Sequence, residues 1–112
     1  MSVLSRTIAL SVAPLLFAAS TYPSLSTETR QQRGEAIAHG LCSPCHAIGR
    51  QGDSPHPAAP RFRMLDNQTD LSKLSRRLRE GLLTGHEDMP MFRFDRDDAD
   101  AMVAYIRSIQ GP

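Results

Sequence analysis

The chain has no tryptophan, a single lysine at Lys73 and only two cysteines among its 112 residues. No apolar run reaches the ~18 residues that span a bilayer. No segment sustains the apolar–polar alternation of a strand, so the sequence predicts an all-α protein. The net charge of +1 and the absence of a basic stripe argue against nucleic-acid binding. The length allows one small domain and leaves little room for a separate substrate domain. The two cysteines, Cys42 and Cys45, are three apart. A bridge between them would close too small a loop to stabilise the fold, so their purpose lies elsewhere.

What is present begins with "MSVLSRTIALSVAPLLFAAS", one positive charge at Arg6 followed by an apolar stretch and small residues. This layout predicts a secretory signal peptide over residues 1–20, cleaved after Ser20, with Ser26 as a second candidate site. The competing reading is a retained anchor, which Ser11 and Pro14 weaken. Residues 21–28 then read as a flexible N-terminal segment and 29–112 as the folded domain. A domain this small is marginal on an apolar core alone, and a cofactor would supplement it.

Three helices are predicted. The first covers Thr29–His39, capped by Thr27 or Thr29 and stopped by Gly40. Gly34 in its interior costs about 1 kcal/mol relative to alanine, which points to close approach of another backbone or ring; a frayed terminus is the alternative. A second helix over Thr69–Leu83 places Leu71, Leu74, Leu78 and Leu82 on one face, with Lys73, Arg76, Arg77 and Arg79 on a solvated one. The third is capped by Asp95 and closed by Gly111, with Met102, Val103, Ile106 and Ile109 as its apolar stripe. Between the first two, Ile48–Pro60 is a loop punctuated by Gly49, Gly52, Pro55 and Pro57, long enough in so small a domain to be functional.

The chemistry concentrates in Cys42-Ser-Pro-Cys-His46. On a helical turn, residues three apart project to the same side, so both thiols can reach the two vinyl groups along one haem edge and leave His46 to ligate the iron. Zinc would need four ligands, and His39, His46 and His56 make no second knuckle of familiar spacing. A thioredoxin-like dithiol would need a preceding strand, which the pattern lacks. A sixth iron ligand would come from "GHEDMPMFRF", where Pro90 extends the backbone at Met89 and favours it over Met91 and His86.

The chain resembles the small class I bacterial cytochromes c through "GEAIAHGLCSPCH", "APRF", "MPMF" and "ADAMVAYIRSI", in that order from about Gly34 to Gln110. The resemblance implies three to five helices around one covalently bound haem c and its iron. It implies that the terminal helices cross near Gly34 against Tyr105. By position, Cys42 and Cys45 would carry the thioethers, His46 and Met89 the axial bonds, and the Pro60 carbonyl would accept the second imidazole N–H of His46. Ala38 stands where many relatives have an aromatic residue, and the chain has no tryptophan for the propionates; Arg50, Arg61 and Arg63 are candidates by charge alone. The implied function is a monomeric periplasmic electron carrier, not an enzyme. It would pass electrons from a dehydrogenase or reductase to an oxidase, with no stable membrane span once the leader is removed. Alternatives are a haem sensor or peroxidase-like enzyme with an open sixth position, or the haem subunit of a larger dehydrogenase or oxidase.

Without Arg6, twelve basic and twelve acidic residues remain, segregated into a mainly basic Arg61–Arg79 and a mainly acidic Glu80–Asp100. Such a dipole would orient encounters with redox partners, acting on association rate more than on affinity.

Overall fold

The first helix, α1 (Arg30–Leu41), starts where the Thr29 hydroxyl accepts from the Gln32 amide and the Gln32 side chain accepts from the Thr29 amide. This reciprocal capping satisfies two of the amide donors that a helix start leaves open. The computed structural model describes residues 28–81 and 88–111; the expected leader and His86 lie outside them. Helix α1 does not stop at Gly40 as expected. It runs through to Leu41, and Cys42 caps it in right-handed conformation with its amide on the Ala38 carbonyl.

Loop 48–60 leads into a short 3-10 helix, Phe62–Asn67, which the sequence pattern did not foretell. Helix α2 (Leu71–Glu80) starts two residues later than the predicted Thr69; Leu82 and Leu83 of the prediction lie outside the described residues. The Thr69 amide is already engaged by Leu65, Asp70 caps the new helix through Ser72, and Gly81 turns the chain with φ of 97°. That conformation favours glycine and ends the helix. Helix α3 (Arg96–Ser108) is capped by Asp95, whose carboxylate accepts from the Asp98 amide; it ends before Gly111, with Ile109 as its cap.

Helix α3 is the centre of the structure. It buries Ala99, Ala101, Met102, Val103, Tyr105 and Ile106, and both α1 and α2 pack on it. Burying each large apolar side chain contributes about 1.5–3 kcal/mol. On α1 only Gly34 and Ala38 are buried, and their small size lets the two backbones touch. A Cβ added at Gly34 would sit 2.6 Å from the Ala101 carbonyl carbon and 2.8 Å from Tyr105 Cβ. The expected crossing at Gly34 against Tyr105 is present. Ala38, fully buried in the same seam, belongs to that contact where a larger ring would hold the helices apart.

Polar links close the architecture. Arg33 pairs with Asp98 between α1 and α3, and Ser75 donates to Asp100 between α2 and α3. The Tyr105 hydroxyl donates to the Ile48 carbonyl at 2.7 Å. The Gln110 amide group donates to the Phe62 and Ile106 carbonyls, while its oxygen accepts from the Asp66 amide. The 3-10 segment is thereby fastened to the end of α3. Among the described residues there are three α-helices, one 3-10 helix and no strand, and no helix is long and apolar enough to cross a membrane.

Candidate functional site

Beyond α1 the chain continues in a helical turn, with the amides of Cys45 and His46 both on the Cys42 carbonyl, at 3.1 and 2.9 Å. This is the local geometry that spacing alone required for the two thiols. Both cysteines are unpaired and half-buried. Burial, reinforced by the neighbouring Cys45, pushes the Cys42 thiol up to about 11. A reactive dithiol works as a thiolate, so this environment opposes that role. A thioether has no proton to lose and suits the same surroundings. Among the described residues no group of three or more His, Cys, Asp or Glu side chains is gathered as for a metal ion.

The His46 ring nitrogen Nδ1 lies 2.8 Å from the Pro60 carbonyl oxygen. A carbonyl only accepts, so Nδ1 carries the proton and donates, which leaves the Nε2 lone pair for a metal in the neutral ring. Phe62, buried and with its amide on the Ala47 carbonyl, sets its ring 5.0 Å from the imidazole. Ser54 accepts from the Ala47 amide. Loop 48–60 thus folds back on the motif, fixing the ring's tautomer and its plane, as partners behind a metal-ligating histidine do.

Cys42, Cys45, His46, Pro60 and Phe62 line a cavity of about 420 Å³. Leu74 of α2, Ile106 of α3 and Phe62 contribute apolar surface, and Met89, Pro90 and Phe92 enter from the segment after α2. The volume falls in the range of small-molecule and cofactor sites, about 300–1,000 Å³. The exposed lining is mainly apolar, and covering such surface is favourable. The chamber is built to be filled by something large and mainly apolar. Two thiols, a preset imidazole and a thioether around it match the donor set of a covalently held haem.

The two rival methionines differ in surroundings. Met89 is half-buried and lines the cavity. Met91 is 57% exposed, is not among the cavity-lining residues and packs its thioether near Gly81. The three arginines considered for the propionates have other surroundings. Arg50 donates to the Ser108 carbonyl at the end of α3, Arg61 pairs with Asp53, and Arg63 is half-buried; none of the three lines the cavity. Arg77, assigned from sequence to a solvated face, is half-buried and does line it, as do Gln68 and Thr69. Its neighbour Arg76 faces solvent beside Glu80, so one helical step separates the two environments. Arg77 is the cation placed to meet a carboxylate carried into this chamber.

The helical frame and this site define a c-type haem domain, whose cofactor is covalent haem c with its iron, the cysteines of the Cys42–His46 motif being spaced for the attachment. The chain belongs to the cytochrome c family: the family model described as cytochrome c matches residues 31–110. Comparison with curated proteins found no match, and comparison with solved structures found none either.

Proposed function

We propose that this haem-binding electron-transfer protein is a single-haem carrier exported to the periplasm, with His46 and Met89 as the two axial ligands of its iron. The observation that carries the reading is that the cavity is lined by His46, whose Nδ1 is engaged by the Pro60 carbonyl, and by the half-buried Met89. Bound haem supplies a one-electron ferrous–ferric couple, and a thioether ligand raises its potential. The chain's own contribution is to fix the imidazole through Pro60, exclude water with Phe62, Leu74 and Ile106, and neutralise carboxylate charge with Arg77. With both axial positions filled, no site is left for a substrate to bind iron, which favours transfer of electrons over catalysis. Export rests on the layout of residues 1–20.

Partners of this carrier would be a dehydrogenase or reductase on one side and an oxidase on the other. Leu41, which lines the cavity, is 46% exposed, and Met91 lies two residues beyond Met89, so apolar surface near the chamber is available for a transient contact. Visible spectroscopy of protein matured in a periplasm tests the reading. The expected result is a c-type reduced spectrum and a weak far-red ferric band from sulfur ligation, lost in Met89→Ala and retained in Met91→Ala. High-spin iron that binds carbon monoxide readily in the wild type would overturn it in favour of a sensor or peroxidase-like enzyme.

A further inference from the structure

We infer that His56 is a positioning residue for the sixth iron ligand: through Asp88 it ties the segment carrying Met89 to loop 48–60, which is bonded to the turn that carries Cys45 and His46. The inference rests on Met89 being that ligand. His56 Nε2 lies 3.2 Å from Asp88 Oδ2, joining positions 32 residues apart, and both side chains line the cavity. The direction of the bond follows from the other ring nitrogen. The Ala58 amide donates to His56 Nδ1 at 3.1 Å, so Nδ1 is an acceptor and the ring proton is on Nε2, aimed at the carboxylate.

His56 is itself held firmly. Its amide donates to the Cys45 carbonyl at 3.1 Å and its carbonyl accepts from Ala59 at the same distance. The backbone of His56 is therefore held on the haem-attachment turn while its imidazole meets the residue immediately before Met89. Among the described residues, the Met89 segment is also joined to α2 by the bond from the Phe94 amide to the Leu78 carbonyl, five residues further along. The His56–Asp88 contact fixes the near end of the segment, where a displacement moves the Met89 thioether directly.

The contact is weak in global terms, because the Asp88 side chain is 79% exposed and water competes for it. It acts on how often the distal segment opens. Cyanide binding to the ferric holoprotein reads that opening, since the methionine must leave before cyanide enters. His56→Phe and Asp88→Ala are each expected to speed cyanide entry about two- to fivefold. The double variant should be no faster than either single one, and Asp88→Asn, which keeps an acceptor oxygen, should stay within about twofold of wild type.

The reduced c-type spectrum and the denaturation midpoint should stay unchanged in all four variants. A wild-type protein lacking the far-red sulfur band overturns the Met89 assignment and this inference with it. A band present in wild type but cyanide entry unaltered in both single variants overturns this inference alone. So do effects that add independently in the double variant, or a rate change matched by a shifted denaturation midpoint.

Discussion

Replacing Gly34 by alanine sets two opposed effects against each other, and the geometry decides between them. In an exposed helix interior the change would stabilise by about 1 kcal/mol, because alanine restricts the unfolded chain and favours the helix. Here the new methyl group would overlap the Ala101 carbonyl oxygen outright and lie 2.6 Å from its carbon and 2.8 Å from Tyr105 Cβ, whereas ordinary contact begins near 3.4 Å, so α1 and α3 must part. The obstacle is backbone and cannot rotate away. Overpacking of this kind costs about 1–3 kcal/mol, and more where two helices lose contact along a shared seam containing Ala38 and Tyr105.

The net expectation is a loss of about 2 kcal/mol, which lowers Tm by roughly 10 °C in a domain of this size. Thermal unfolding of the holoprotein, followed both by far-ultraviolet dichroism and by haem absorbance, measures it. Gly40→Ala is the matched control: it lies in the same helix with nothing within 4 Å of the added Cβ, and it should be neutral or stabilising. A Gly34→Ala protein as stable as wild type would refute the close-approach argument.

Tyr105→Phe removes the bond to the Ile48 carbonyl and should cost about 1–2 kcal/mol in denaturant unfolding. The Tyr105 hydroxyl titrates above its ordinary value because burial, and then the Glu35 carboxylate, disfavour the phenolate, with Arg50 opposing. A raised folded-state value means that its contribution is complete below the unfolded value near pH 10 and declines as pH rises toward and through the folded value. Wild type should therefore lose stability faster than Tyr105→Phe above about pH 10. Arg77→Gln removes a cation from the cavity wall, which disfavours the extra electron; voltammetry should show the potential lowered by tens of mV, while Arg76→Gln changes it much less.

Local features were the legible ones. Thr29 and Asp95 act on amides three residues away, so their capping could be read without a fold. Gly34 was legible as a residue the helix alone would not choose, and the C-x-x-C-H spacing carried its geometry within one turn. The 3-10 helix escaped because Phe62–Asn67 has no helical period of apolar residues; it is held by Gln110, 48 residues from Phe62. Arg77 escaped for a related reason. Adjacent arginines look alike in sequence, and only the packing of α2 on α3 decides which one meets the cavity. Charge alone pointed to Arg50 and Arg61, but the α3 terminus and Asp53 claim them first. The His56–Asp88 contact spans two segments that carry no sequence signal of pairing.

The seam between α1 and α3 also sets an order of events. Arg33 and Asp98 are 65 residues apart, and α3 leaves a ribosome, or any channel that delivers the chain from its N-terminus, well after α1. Until then α1 has no partner, since its buried face is only Gly34 and Ala38 and cannot hold a helix of 12 residues by itself. The attachment cysteines therefore spend the early life of the chain on an unfolded, accessible segment. The small residues that let the finished helices touch leave the nascent ones apart, and that interval is open to whatever catalyses the thioether bonds.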